Sequence, residues 1–282
     1  MRICTVNDDR LNTSLYSSGV RKAVDEYLLK KSKEKRDYGD YWSASSAGYC
    51  MRKNIFDRLQ VPHVETESDA RKQRVFESGH IFHEWIQRLT KEAGLSVAQE
   101  NELIDDKIMV KGHFDDLVRI DGKLLLIDYK TQNSRAFSYA KPEISHYHRM
   151  QLATYMYMLR KGLYNRVEAE AYKVANGEYP VDTTKLDEAR LVKISKDDLR
   201  MGEQQLHWTP GLEKLVYEYW STLNSYWKNK RLPKCTCADY EINKKTGIGF
   251  MADSRYNPYF YNKEPCSLDW LKKCKGEGKV TW

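Results

Sequence analysis

Residues 107–131, KIMVKGHFDDLVRIDGKLLLIDYKT, contain the pattern that decides the fold. The first part of this stretch partly alternates apolar and polar residues, as a half-buried strand does. Asp121-Gly122 is a strong signal for a hairpin turn. The run after the turn is almost continuously apolar, which is typical of a central strand buried on both faces. We therefore expect a hairpin whose second strand lies in the middle of a sheet.

The candidate chemical groups of this hairpin are Asp115, Asp128 and Lys130. Asp115 and Asp128 are about equally far from the turn, so the register brings them together. Asp128 and Lys130 are two positions apart and project from the same face. Two neighbouring carboxylates repel each other unless a cation lies between them, and burying them is costly unless they are paired or bind a metal. The alternative is an ordinary edge strand with an exposed Asp–Lys pair.

A helix predicted at about 69–93 adds a second group of polar residues. His80, His83 and Glu84 are spaced so that all three lie on one face of that helix. Histidine beside carboxylates favours transition ions such as Mn²⁺ at a site that also suits Mg²⁺. The alternative is that the histidines pack against neighbouring aromatic side chains.

A later helix, predicted at about 145–162, carries Gln151 and Tyr155 one turn apart on one face. An amide and a hydroxyl group at this spacing can hold a phosphate or the edge of a nucleobase. The alternative is an amphipathic helix in which both residues are only half-buried.

The remaining segments predict an α/β or α+β protein in which helices pack on the strands. Further helices are expected at about 20–36, 47–60 and 196–229, the last with a break at Pro210-Gly211, and further strands at 97–104, 166–175 and 189–194; residues 132–144 are expected to form a loop.

The composition excludes several classes of protein. The chain has 282 residues, a net charge of +7 and 41% hydrophobic residues, which excludes a disordered chain. It has no apolar run long enough to span a membrane and no apolar leader, so we expect an intracellular protein. The net charge fits a polyanionic partner without requiring one. Basic and aromatic residues alternate near the C-terminus, which suits single-stranded nucleic acid or, equally, a solvated lysine-rich surface.

Four motifs occur in a fixed order along the chain: Gly79-xxx-His83, Gly112-His113-Phe114-Asp115, Asp128-Tyr129-Lys130-Thr131 and Gln151-xxx-Tyr155. In this order they resemble the RecB-type branch of the PD-(D/E)XK nucleases. Residues 42–53, WSASSAGYCMRK, resemble the entry segment of the iron–sulfur members of that branch. Those members include the CRISPR-associated four-cysteine exonucleases and the AddB-type helicase–nucleases.

The resemblance implies a restriction-endonuclease-like fold, with a central mixed sheet flanked by helices. It divides the chain into an N-terminal extension (1–40), a nuclease core with helical insertions (41–230) and a cysteine-rich region (231–282) that packs on the N-terminal helix. This last region, of helices and loops, would join the N- and C-terminal parts.

The resemblance also assigns roles to the polar residues. Mg²⁺ or Mn²⁺ would be bound by His83, Asp115, Asp128 and the backbone carbonyl group of Tyr129. Lys130 would orient the attacking water. The remaining pair, Gln151 and Tyr155, would support the site and contact DNA, whereas His80 and Glu84 have no counterpart in the family.

Six cysteines in an intracellular chain are better explained as thiols or metal ligands than as disulfides. The resemblance implies a [4Fe–4S] cluster held by Cys50, Cys266 and Cys274 with either Cys235 or Cys237, leaving Cys4 outside the cluster. Four thiolates suit Zn²⁺ as well as iron–sulfur. The alternative is that all six are ordinary thiols.

These features predict a metal-dependent deoxyribonuclease, an exonuclease that acts on single-stranded DNA or DNA ends. The resemblance implies a bacterial, archaeal or phage source and a protein partner in recombination, repair or CRISPR adaptation. One alternative is a DNA-end-binding or assembly protein on the same fold that does not cut DNA. Another is a sequence-specific endonuclease built on the same core.

Overall fold

The computed structural model describes residues 19–33, 39–60, 68–140, 142–163, 181–233, 240–242 and 249–251. The chain divides into two compact units. The first contains helix α1 (Gly19–Lys33) and the part of helix α3 (Ser68–Glu92) that ends at Phe82. The second contains all other described elements, including the part of α3 that begins at His83.

A five-stranded mixed sheet forms the centre of the second unit. Its strands, in spatial order, are β2 (Ser96–Gln99), β5 (Asp116–Ile120), β6 (Lys123–Gln132), β7 (Glu188–Ser195) and β8 (Met201–His207). The pair β6–β7 is parallel and the other three pairs are antiparallel. The apolar run therefore forms the middle strand of the sheet, as its composition predicts.

Two long helices cover one face of this sheet. Helix α5 (His146–Arg160) packs against β6 and β7, and α6 (Pro210–Lys228) packs against α5. Every residue of α5 from Met150 to Leu159 is buried, so this helix lies in the core instead of on its surface. Leu126 and Leu191 project from the sheet into the same apolar cluster as Leu152. The residues that alternate with Leu126 along β6 project from the opposite face, where the last turns of α3 lie.

A smaller three-stranded sheet lies beside the first. It contains β1 (Trp42–Ser43), β4 (Val110–His113) and β3 (Glu102–Asp105), with β1 parallel and β3 antiparallel to the central β4. The prediction of one strand over 97–104 is therefore wrong, because β2 and β3 belong to different sheets. Glu100 separates them with a φ of 52°, a left-handed conformation that an extended strand does not contain.

The predicted long helix over 196–229 is wrong in its first part. Residues 201–207 form the edge strand β8, in which Gln204 and Leu206 are buried between more exposed neighbours. The Pro210-Gly211 pair marks the start of α6 and not a break, because Pro210 fits the first turn of a helix and the Thr209 side chain accepts a hydrogen bond from the Leu212 amide.

The other predicted elements have mixed outcomes. The short helix α2 (Met51–Arg58) replaces the longer one expected over 47–60, and α4 (Ser134–Ser138) lies within the predicted loop 132–144. The predicted strand at 166–175 lies outside the described residues. Two short strands, β9 (Tyr240–Ile242) and β10 (Gly249–Met251), form an antiparallel pair. No helix in the described part of the chain is both long and apolar enough to cross a lipid bilayer.

In the first unit, ion pairs join α1 to the first half of α3. Arg74 pairs with Asp25, and Lys31 Nζ lies 2.9 Å from Glu77 Oε1. Both pairs are partly exposed, so water screens them and each contributes little to stability.

Candidate active site

The β5–β6 hairpin brings its two acidic residues together. Asp121 and Gly122 have φ angles of 50° and 76°, which form the tight turn that the dipeptide predicts. Asp116 pairs with Ile127, so Asp115 lies opposite Asp128 one position beyond the last pair. The predicted register is thus confirmed in the structure.

The buried Asp128 forms an ion pair with the half-buried Lys130 on the face that α5 covers. Lys130 Nζ lies 2.7 Å from Asp128 Oδ2, and the Asp128 side chain is only 3% exposed. Apart from this ion pair, neither carboxylate oxygen of Asp128 has a hydrogen-bond partner among the described residues. A buried carboxylate usually accepts several hydrogen bonds, so this one retains capacity to bind a further cation or donor.

The two carboxylates and the lysine influence one another electrostatically. Burial, together with the charge of Asp128, raises the pKa of Asp115 from 3.8 to about 8. The Lys130 charge and a hydrogen bond from the Tyr129 amide act in the opposite direction. Burial alone would lower the pKa of Lys130, but the charges of Asp128 and Asp115 outweigh it and raise that pKa. Asp115 is therefore the group that takes up a proton when only Lys130 is present to balance the two carboxylates.

His83 reaches the same site from helix α3. Its Nδ1 atom lies 3.7 Å from Asp115 Oδ2, and its ring meets the Tyr129 ring edge-on with a centroid distance of 6.2 Å. The imidazole is therefore placed beside the carboxylates, as the predicted metal site requires. Of the other two candidates on this helix, Glu84 is exposed and contacts neither aspartate, and His80 belongs to the first unit.

Gln151 and Tyr155 approach from helix α5. The Tyr155 hydroxyl interacts with Gln151, and burial followed by the charges of Asp115 and Asp128 raises the pKa of Tyr155 strongly. The phenol is therefore neutral and able to donate a hydrogen bond near pH 7. Gly112 permits this approach, since a Cβ atom there would lie 3.1 Å from the Tyr155 hydroxyl oxygen.

Sequence reasoning missed Gln87, which connects the site to the start of β3. Its Nε2 atom donates to the Asp115 carbonyl oxygen at 3.0 Å and to Glu100 Oε1 at 2.6 Å. The Glu100 amide also donates to the Asp115 carbonyl oxygen, at 3.3 Å. Gln87 lies one helical turn after His83, so the spacing could have indicated it.

Sequence reasoning also did not identify Asp116, which stabilises the face of the sheet opposite Asp115. Its carboxylate is fully buried and accepts hydrogen bonds from four side chains on α3, β2 and β6: Thr90, Ser96, Gln99 and Tyr129. Burial raises the pKa of Asp116, although these hydrogen bonds lower it in part. Two consecutive aspartates thus serve opposite faces of one strand.

A sequence model of the PD-(D/E)XK nuclease superfamily matches residues 51–236, well over half of the chain and all of the site described above. The chain belongs to the PD-(D/E)XK nuclease superfamily. This confirms the superfamily predicted from the four motifs, and the central mixed sheet flanked by helices confirms the predicted restriction-endonuclease-like fold class.

Individual proteins are also similar to parts of this PD-(D/E)XK protein. An ATP-dependent helicase/nuclease subunit from Streptococcus equi subsp. zooepidemicus (strain MGCS10565) is 26% identical over 129 residues, which is 44% of this chain and 10% of that relative. This chain therefore spans about a tenth of that protein. An alkaline exonuclease (LHK-Exo) from Laribacter hongkongensis aligns with a TM-score of 0.43 and 15% identity over 68% of this chain and 89% of the other. Its complex with dAMP aligns with a TM-score of 0.42 and 15% identity, over 68% and 90%.

PD-(D/E)XK nucleases typically use Mg²⁺ or Mn²⁺, and the donor set can be compared with that requirement. Within the described ranges, no three His, Cys, Asp or Glu side chains already lie together as metal ligands. Instead, the Lys130 ammonium occupies the position beside Asp128. The unused hydrogen-bonding capacity of the buried Asp128 carboxylate nevertheless suits a hard cation, as do the oxygen donors of Asp115 and the imidazole of His83.

Most of the predicted cysteine ligands cannot be placed. Cys4, Cys235, Cys237, Cys266 and Cys274 lie outside the described residues. Cys50 is half-buried at the start of α2, where its carbonyl oxygen accepts a hydrogen bond from the Asn54 amide. The predicted cluster therefore stays a prediction.

Proposed function

We propose that this protein is a metal-dependent deoxyribonuclease that hydrolyses phosphodiester bonds, acting as an exonuclease on single-stranded DNA or DNA ends. One observation carries the proposal. The buried Asp128 and the half-buried Lys130 lie side by side on the middle strand, with Asp115 and His83 converging on them from two other elements. Burying this many ionisable groups is costly, and enzymes accept that cost where the groups perform chemistry.

His83, Asp115, Asp128 and the Tyr129 carbonyl oxygen would hold Mg²⁺ or Mn²⁺. When bound, such an ion neutralises charge on the phosphate and lowers the pKa of a coordinated water. Asp115 must lose its proton before it can act as a ligand, because its raised pKa keeps it protonated near neutral pH in the absence of a cation.

The other residues position the substrate and the water. Lys130 remains charged, because the neighbouring carboxylates raise its pKa. Its ammonium group can hold the attacking water and stabilise charge that develops on the phosphate oxygens. The neutral Tyr155 hydroxyl, oriented by Gln151, can donate a hydrogen bond to a phosphate oxygen. The new bond joins the water oxygen to phosphorus, the bond to the leaving oxygen breaks, and the water proton passes to solvent.

An aromatic surface beside the site supports single-stranded DNA as the substrate. Tyr147 lies close enough to Lys130 to influence its pKa, and its ring stacks on that of Tyr49 with a centroid distance of 5.6 Å. Lys53 Nζ lies over the Tyr49 ring, 4.9 Å from its centroid. Aromatic rings next to basic groups bind unpaired nucleotides by stacking and charge, which duplex DNA cannot offer except at its ends.

Cleavage of end-labelled DNA tests the proposal. Wild-type protein, the Asp128→Asn variant and the Asp187→Asn control would each be incubated with linear single-stranded, linear double-stranded and circular single-stranded DNA, with Mg²⁺, Mn²⁺ or chelator. Asp187 is exposed on the loop before β7, so its variant makes the same chemical change away from the site. We expect metal-dependent loss of linear single strands, intact circles and no activity for Asp128→Asn.

Two other outcomes would favour the alternative functions. Cleavage of the circles would indicate an endonuclease. Tight binding of DNA ends without cleavage under every metal condition would indicate a binding or assembly protein.

We further propose that Cys50 contributes to a [4Fe–4S] cluster with Cys266, Cys274 and one of Cys235 and Cys237. One contact supports this: the buried Arg52 side chain donates from Nη1 to the Pro233 carbonyl oxygen at 2.7 Å. This bond holds the chain just before Cys235 beside the start of α2, where Cys50 lies. Anaerobic purification followed by iron, sulfide and zinc analysis would test it. Stoichiometric zinc or neither metal would contradict it, and Cys50→Ser should lose the iron.

A further inference from the structure

Lys193 is a second lysine in the site, and the hydrolysis scheme gives it no role. It pairs directly with Lys130 across the parallel strands β6 and β7, so both side chains project from the same face. Lys193 is half-buried, and burial lowers its pKa. Lys130 has Asp128 as its counter-ion, but within the described part of the chain Lys193 has no carboxylate partner. A partly desolvated ammonium group without a counter-ion is unfavourable until an anion binds.

His148 lies next to these lysines on helix α5. Its spacing from Gln151 and Tyr155 is three and seven residues, so all three lie along one face of the helix. Burial and the charges of Lys130 and Lys193 lower the pKa of His148 to about 3, which shows that the three basic groups are neighbours. The imidazole is neutral at physiological pH and keeps one N–H donor, for which the described residues supply no acceptor.

The Tyr147 ring restricts where the imidazole can turn. The two ring centroids are 3.9 Å apart and the planes are tilted by 48°. His148 therefore contacts the Tyr147 ring and lies near both lysines.

We propose that Lys193 and His148 bind the phosphate adjacent to the scissile one on the same DNA strand, while Lys130 acts on the scissile phosphate itself. The inference rests on the proposed function, because it assumes that DNA occupies this face. Neighbouring strands lie about 4.8 Å apart, a spacing that lets two lysines contact consecutive phosphates. The nucleotide attached to the second phosphate would then stack on Tyr147.

A double-mutant cycle, in which a protein residue and a DNA phosphate are changed separately and together, tests this subsite. Binding is measured in the inactive Asp128→Asn background with single-stranded oligonucleotides that carry one neutral methylphosphonate at successive positions. We expect Lys193→Gln to weaken binding of unmodified DNA about tenfold and to reduce the slope of log Kd against log salt by about 1. At the one phosphate that Lys193 contacts, the methylphosphonate should weaken DNA binding by the protein that retains Lys193. It should have little further effect on the affinity of the Lys193→Gln variant.

Lys196→Gln is the matched control, because Lys196 is also half-buried at the end of β7 but lies beside Asp197. Lys193→Arg should preserve the salt slope, and His148→Ala should show coupling at the same position as Lys193→Gln. The subsite proposal would be overturned if the protein and DNA changes weakened binding additively at every phosphate position. It would also be overturned if Lys193→Gln and Lys196→Gln changed the affinity and the salt slope equally.

Cleavage kinetics of the same variants with Asp128 intact distinguish failure of the subsite proposal from failure of the proposed function. Lys193→Gln should raise KM about tenfold and leave kcat nearly unchanged, since it removes binding common to the ground and transition states. If wild-type protein fails to cut DNA and the coupling persists, the hydrolase proposal fails and the phosphate subsite stands. If wild-type protein cuts DNA and no coupling is found, the subsite alone fails.

Discussion

The amide nitrogen of Tyr129 lies 2.7 Å from Asp115 Oδ2, so the backbone of β6 holds the carboxylate of the residue just before β5. The same peptide unit lies between Asp128 and Lys130, which provide the other charges of the site. Any change in the position of β6 would therefore move all three groups together. Because the amide stabilises the charged carboxylate, it partly offsets the burial and the repulsion that favour protonated Asp115.

The raised pKa of Asp115 predicts how stability depends on pH without metal. An acid whose pKa rises from 3.8 to about 8 on folding stabilises the native state fully at low pH, and this contribution is lost as the pH rises through about 8. In chelator, the free energy of unfolding of the wild type should therefore fall between about pH 4 and about pH 8, relative to Asp115→Asn. Urea unfolding at several pH values measures it, and Mg²⁺ should restore stability at the upper end. Parallel pH profiles for the two proteins would contradict the assignment.

Lys130→Gln should remove most of the activity without unfolding the protein. The loss of a positioned charge that stabilises the transition state typically lowers kcat by about 100- to 1,000-fold. Lys130→Arg tests geometry separately from charge, because a guanidinium group keeps the charge but alters its shape. Single-turnover cleavage rates measure the effect, and circular dichroism verifies the fold. A Lys130→Gln protein with near-normal rates would show that the lysine is structural.

Asp116→Ala should destabilise the protein without changing any group on the reactive face. The substitution leaves the buried Tyr129 donor and the partly buried Thr90 and Ser96 donors without their shared acceptor, at a cost of about 3 kcal/mol or more. Chemical denaturation compares it with Asp187→Asn, an exposed substitution that should alter the free energy of unfolding by less than about 0.5 kcal/mol. Equal stabilities would show that the four hydrogen bonds do not anchor the sheet.

Gly112→Ala should impair both packing and catalysis. The new Cβ atom would lie 2.8 Å from the Ala44 Cβ and 3.1 Å from the Tyr155 hydroxyl oxygen, so Tyr155 would have to move. We expect a loss of about 1–3 kcal/mol of stability from overpacking and a reduced cleavage rate. Gly211→Ala is the control, because its Cβ would make only an ordinary contact, 3.7 Å from Thr209 Oγ1. A Gly112→Ala protein with wild-type stability and activity would show that Tyr155 does not need this close approach.

The hairpin could be predicted because its determinants are local. A turn dipeptide fixes the register, and the register fixes which residues face each other, so Asp115, Asp128 and Lys130 follow from counting along the chain. The helical residues His83, Gln151 and Tyr155 could be assigned only through the resemblance, since the sequence does not determine how α3 and α5 pack on the sheet.

Other features depend on tertiary contacts that no local pattern contains. Asp116 follows Asp115 directly, and nothing in the sequence shows that its partners would come from three separate elements. The local pattern predicts helix for β8 because MGEQQLH has no β-branched residue; the segment is an edge strand that is stabilised by pairing with β7. Lys193 was not singled out, because its position beside Lys130 depends on a parallel pairing between distant segments.

The side chains of the consecutive residues Asp115 and Asp116 point to opposite sides of the sheet. Selection for chemistry therefore acts on one side and selection for stability on the other. Substitutions on the side of Asp115 can alter the reaction or the substrate preference without unfolding the protein, because the hydrogen bonds of Asp116 that stabilise the sheet lie on the other side. Inserting or deleting a single residue between the turn and either aspartate would exchange the two sides and abolish both properties at once. Divergent descendants of this hairpin should therefore tolerate substitutions far more readily than changes in its length.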